Sequence, residues 1–252
     1  MKNTIILLIT IIFFQCSKDN DTLLQPINCI STADLPLGGL PICDNAGTMM
    51  YLCEVYSVGN YTLDPSSKKY MPLFCKEIGS NFIYQNNIGE EIIFTLKHKE
   101  NKKYAITYNT FQKCQLDSMK TIGYCIISDQ VSYNLKAESI GLELMINLKT
   151  VPDINLTKIG YVGDILEILR KKEPSSYFVD FSSVVTQRSL SFSNKFNQEF
   201  YANIEILGTN YNNVVSNDVS QYSTPIYKYY YNNEIGLLAF RDTSGITWKL
   251  IK

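Results

Sequence analysis

Only one histidine, His98, stands in the 252 residues of the chain. A serine or cysteine nucleophile needs a base beside it, nearly always an imidazole, so a hydrolytic triad has one candidate base. His98 follows the apolar row Ile92, Phe94, Leu96, where a structural or surface histidine is the simpler reading. An excess of one charge is lacking too: 23 Lys and Arg against 24 Asp and Glu give a formal net charge of −1, with the cations scattered. That excludes the concentrated basic face of a nucleic-acid-binding protein, and neither DNA nor RNA is expected as a partner. No C-x2-C or C-x4-C pair occurs, so four close-spaced zinc ligands cannot be assembled, and no metal is expected. Gly38-Gly39 lacks the preceding strand and the following Lys-Ser/Thr of a phosphate loop, and no cofactor is expected either. Nor does any apolar run reach the about 20 residues of a membrane-crossing helix.

The longest apolar run, Ile5 to Phe14, is broken only by Thr10 and follows the positive Lys2. Its length suits the roughly 7–15 apolar residues of an export signal. The run ends at Phe13-Phe14-Gln15-Cys16-Ser17, which resembles a lipobox, although Gln15 stands where a small residue is usual. The resemblance implies cleavage before Cys16, acylation of its thiol and new amino group, and attachment to a membrane through acyl chains. Several chains on one residue hold far more firmly than the single chain that binds marginally. The following Ser17, Lys18, Asp19, Asn20 and Asp21 are similar to the acidic export tags of Bacteroidota lipoproteins, and also suit a solvated tether. The expected location is the outer membrane, on the cell surface, with the periplasmic face as the alternative.

Six further cysteines follow: Cys29, Cys43, Cys53, Cys75, Cys114 and Cys125. An even number outside the cytosol permits disulfides without fixing their connectivity. The expected pair is Cys114 with Cys125, which bracket the polar turn Gln115 to Thr121 and need Cα atoms within about 7 Å.

Residues 1–15 thus read as signal peptide and residues 16–50, with Pro26, Pro36, Pro41 and Gly38-Gly39, as a lipidated tether and irregular lead-in. Residues 51–252 read as a β-rich domain, with a division into two subdomains near 150–175 left open. Alternation of period two recurs through it. Ile92, Phe94 and Leu96, a Lys99–Lys102 turn, then Tyr104, Ile106 and Tyr108 suggest a hairpin. Leu142, Leu144, Ile146 and Leu148 suggest a strand, as do Phe200, Ala202, Ile204 and Ile206. Gly236 to Phe240, a turn at Asp242–Gly245, and Ile246, Trp248, Leu250 form a closing hairpin. Tyr161 to Lys172 reads as the one short helix, from the grouping of Ile165, Leu166, Ile168 and Leu169 and from Lys171-Lys172 before Pro174. The expected fold is mainly β, an antiparallel sandwich or half-barrel.

Two stretches resemble a loose group of uncharacterised lipoproteins from Bacteroidota. One is Tyr70-Met71-Pro72-Leu73 leading to Gly79-Ser80-Asn81-Phe82-Ile83-Tyr84 and Gly89-Glu90-Glu91-Ile92-Ile93-Phe94; the other is Tyr229 to Phe240 with Gly245 to Leu250. The resemblance implies the compartment and a β architecture, and carries no activity.

Three roles remain: a non-enzymatic binding or structural protein, with a lipid-carrying trough as a variant; a glycan-binding accessory; and a hydrolase. Tyr227, Tyr229, Tyr230 and Tyr231 form the candidate ligand platform, because aromatic faces stack on sugar rings. Plain cross-strand packing is the competing explanation. Glu90-Glu91 and Asp242 are the carboxylates for hydrolysis, all in turn-like contexts.

Overall fold

The computed structural model describes residues 52–113, 115, 120–152, 162–173, 176–187, 198–219 and 225–251. The signal, Cys16, the acidic tag and Cys114 lie outside them. In chain order the strands are β1 (Leu52–Tyr61), β2 (Asn81–Gln85), β3 (Glu91–Lys113) and β4 (Thr121–Ala137). Then come β5 (Leu142–Pro152), β6 (Val162–Glu173), β7 (Ser176–Gln187) and β8 (Gln198–Ile206). The last are β9 (Thr209–Asp218), β10 (Ile226–Asn232), β11 (Gly236–Asp242) and β12 (Thr247–Leu250). No helix among the described residues is long and apolar enough to cross a membrane.

The strands form one sheet in the order β7-β6-β5-β4-β3-β2-β12-β11-β10-β9-β8, antiparallel along that path and nearly closed into a barrel. β1 departs from the rule by pairing parallel to the first half of β4. The antiparallel β fold expected from alternation is therefore present, in half-barrel rather than sandwich form. β5, β6 and β7 are hydrogen-bonded neighbours, so one sheet takes in the described residues on both sides of positions 153–161.

Two expectations are corrected. The helix expected over Tyr161 to Lys172 is replaced by a strand in its described part: Val162–Glu173 is β6, between β5 and β7. Its residues Gly163 to Ile168 are all buried, so apolar side chains fill both faces and Ile165-Leu166 and Ile168-Leu169 mimic helical grouping. A short doubly buried run is ambiguous by period alone, and two flanking strands decide it.

The Lys99–Lys102 turn is likewise absent. β3 runs unbroken for 23 residues, and Lys99 to Lys102 pair with Tyr133 to Gln130 of β4. No glycine or proline lies between Lys97 and Lys103 to reverse the chain. The polar residues mark a register shift after Leu96, which leaves His98 exposed. From Tyr104 onward, where β4 has left β5 and takes β1 as its other neighbour, β3, β4 and β1 continue together as a three-stranded ribbon.

Inside the barrel, rings interlock. Tyr84 meets Phe94 and Phe240 at 5.4 Å each, Phe94 meets Phe240 at 5.9 Å, and Phe240 stacks on Trp248 at 6.3 Å. Burying each such side chain contributes about 1.5–3 kcal/mol. The chain between β1 and β2, including 3-10 turns at Pro65–Tyr70 and Pro72–Cys75, joins this core through Leu63, Met71, Leu73 and Phe74. Gly236, at φ 93°, allows the close approach: a Cβ there would lie 3.3 Å from Pro72 Cγ.

Two buried carboxylates hold the inserted segment. Asp164 Oδ2 accepts from the Asp64 amide (2.8 Å) and Ser67 Oγ (2.6 Å), and its Oδ1 accepts from Thr150 Oγ1 (2.9 Å). Asp129 Oδ2 accepts from the Leu63 amide at 3.2 Å.

Candidate functional site

β10 carries the tyrosine cluster, and strand alternation divides it. Tyr229 and Tyr231 point inward and are fully buried, whereas Tyr227 and Tyr230 are half-buried on the outside. A register shift at Tyr227, between Ile226 and Lys228, sets the outward pair three residues apart. The four rings therefore make no single platform. Tyr231 OH donates to the Tyr70 carbonyl, and Tyr229 OH to Asp180 Oδ2 at 2.9 Å, so the inward pair serves the core.

Each outward ring lies under a cation. The Arg241 guanidinium sits 5.6 Å from the Tyr227 centroid and Lys228 Nζ 5.7 Å from that of Tyr230. Lys228 Nζ also donates to Glu199 Oε2 at 2.7 Å and pairs with Asp218 Oδ1 at 3.1 Å. Glu199 accepts further bonds from Tyr201 OH and Ser216 Oγ. The Lys228 and Tyr201 donors hold the Glu199 carboxyl down at about 2. Burial alone lowers Lys228, but its two carboxylate partners prevail and raise it above the usual ammonium value. The outer face of β8 to β11 thus presents aromatic rings beside charges locked in place, an arrangement suited to stacking and polar recognition rather than to proton transfer.

The remaining candidates are dispersed. His98 is exposed on β3, within electrostatic reach of the Glu100 carboxylate, and no described hydrogen bond joins it to a nucleophile. Asp242 Oδ1 accepts from the Ser244 and Ile246 amides and Oδ2 from Trp248 Nε1, which closes the last hairpin. Glu90 accepts from Asn86 Nδ2 in the β2–β3 turn. Both acids are occupied structurally. Cys125 is buried in β4 and, like Cys75, is disulfide-bonded; the expected pairing with Cys114 falls on a residue outside those described. Among the described residues no group of three or more His, Cys, Asp or Glu is gathered for a metal.

Two open clefts of about 310 and 300 Å³ lie elsewhere, one lined by Gln85, Asn86, Leu207 and Lys249, the other by Asn81, Glu91, Ile93 and Glu138. Neither is lined by the interlocked rings of the interior. Sequence reading missed Glu199, Tyr201 and Arg241, since nothing local links them. The one available signal was parity: Lys228 and Tyr230 share a face that excludes Tyr229 and Tyr231. Comparison with family models, curated proteins and solved structures finds no match to the chain.

Proposed function

We propose that this chain is a lipid-anchored protein of the bacterial cell envelope, acylated on Cys16, whose barrel has a non-enzymatic binding or structural role outside the cytosol. The anchoring half rests on the apolar run that ends at Cys16 and on the acid-bearing Ser17–Asp21 that follows. Outer-membrane attachment through acyl chains, a Bacteroidota-type family and the Cys114–Cys125 disulfide belong to the same reading. The observation that carries the binding half is the contrast between faces: interlocked rings fill the interior, while Tyr227 and Tyr230 remain outside under Arg241 and Lys228.

Anchoring is tested by feeding cells a labelled fatty acid. The native chain takes up label and sediments with membranes, and Cys16→Ala loses both. An unchanged variant would end the proposal.

A glycan ligand is the second reading, ahead of a protein or a lipid. Half-exposed rings with fixed polar groups beside them suit the apolar face and hydroxyl edge of a sugar. Calorimetry against a polysaccharide panel should find a binder whose affinity drops about tenfold or more in the Tyr227→Ala/Tyr230→Ala variant, in line with loss of central aromatic contacts. Silence across the panel, or a binder indifferent to both substitutions, removes the glycan.

A further inference from the structure

We propose that two copies of this chain pair antiparallel along the free edge of β8, centred on Asn203, so that one sheet continues into the other. β8 ends the sheet, and among the described residues its only strand partner is β9. At its start it is held against β7, where Gln198 Nε2 donates to the Ser182 carbonyl and Asn217 Nδ2 of β9 donates to the Asp180 carbonyl at 3.3 Å. From Phe200 onward no described strand covers it. Phe200 is 66% exposed, and Ala202, Asn203 and Glu205 are exposed as well.

Natural edges are guarded by lysine, proline or bulges. β8 contains no lysine or proline and pairs with β9 without a register shift. The opposite free edge, β7, is guarded: its pairing with β6 shifts register three times, and the Arg170 guanidinium sits 5.6 Å from the Phe178 ring centroid. Of the two strands that end the main path of the sheet, β7 is therefore blunted and β8 is open among the described residues.

Charge selects the occupant and its register. About Asn203, Phe200 faces Ile206, Ala202 faces Ile204 and Tyr201 faces Glu205, so apolar meets apolar and no like charges oppose. About Ala202, Glu199 would face Glu205, which is repulsive. About Ile204, Phe200 would pass the strand end onto Gly208. A half-step in either direction sets polar side chains against apolar ones. A strand that reads favourably against its own reverse in one register fits a second copy of itself.

Disulfide trapping tests the register in the purified full chain under mild oxidation, with the unsubstituted chain as background. Across the axis Asn203→Cys brings two Cα atoms to about 5 Å, within bridging range, whereas Tyr201→Cys leaves its own copy roughly 13 Å away. Asn203→Cys should give roughly tenfold more covalent dimer than Tyr201→Cys, since only the former meets the distance limit. Adding Phe200→Lys, an exposed change that leaves the barrel core alone, should return the yield to background. Equal yields at 203 and 201, no dimer at 203, or indifference to Phe200→Lys would each overturn the pairing.

Discussion

Asp164→Ala is expected to cost about 3–5 kcal/mol, a large part of the 5–15 kcal/mol that holds a typical domain together. The carboxylate is fully buried and its described contacts include three donors on two elements: the Asp64 amide and Ser67 Oγ of the inserted segment, and Thr150 Oγ1 of β5. Alanine removes all three acceptor contacts at once, and each buried donor left without a partner costs about 1–3 kcal/mol. Thr150→Val takes one donor from Oδ1 while both donors to Oδ2 stay in place, so its cost should be nearer 1 kcal/mol. Denaturant unfolding of the two variants gives the comparison, and near-equal losses would mean that Asp164 does not hold the segment. Hydrogen exchange supplies a local readout: the Asp64 amide should lose protection in Asp164→Ala before the amides of β5 do.

The carboxylate also marks the limit of what sequence reveals. Asp64 and Asp164 are 100 residues apart, and no local pattern ties them. What was legible was local. The closing hairpin followed from alternation on both sides of Asp242–Gly245, and β11 and β12 pair there with Trp248 buried opposite Phe240. Leu142 to Leu148 read correctly as a strand because one face of β5 is buried throughout. β6 failed because both of its faces are covered, which erases alternation. β3 failed for another reason: beyond Leu96 the strand carries a run of charged and polar residues, half-buried from Lys99 to Lys103, that looks like a turn. Phe200, Ala202, Ile204 and Ile206 form a strand as read, yet Phe200 and Ala202 are exposed, since β8 diverges from the barrel as an edge. For the ligand face, composition located the tyrosines but not their division, which required the register shift at Tyr227.

The second large effect concerns the seam where β7 approaches β9 and β10. Asp180 occupies a shift in the β6–β7 register, with its side chain buried, and Oδ2 accepts from Arg170 Nε (2.9 Å) and Tyr229 OH (2.9 Å). Asp180→Ala strands a buried guanidinium and a buried phenol together, and removal of one partner of a buried ion pair costs about 3–5 kcal/mol. Arg170→Met is expected to behave differently, because a carboxyl can take up a proton where a guanidinium cannot lose one. Burial already raises Asp180 above its ordinary value against the opposing pull of Arg170 and Tyr229. Since the folded value is raised, the stabilisation linked to this group is complete below its ordinary value of 3.8 and is lost as pH rises through the folded value. Without Arg170 the folded value climbs further, so Arg170→Met should stay closest to the native chain at about pH 4 and fall behind it toward about pH 7. The double variant Arg170→Met/Asp180→Leu removes the charge altogether and should recover most of the loss from Asp180→Ala, since packed apolar residues often replace a buried pair at little cost. Unfolding curves for the three variants at both pH values decide the matter: an Arg170→Met deficit that does not grow with pH, or a double variant no better than Asp180→Ala, would show that the seam is held by something other than this pair.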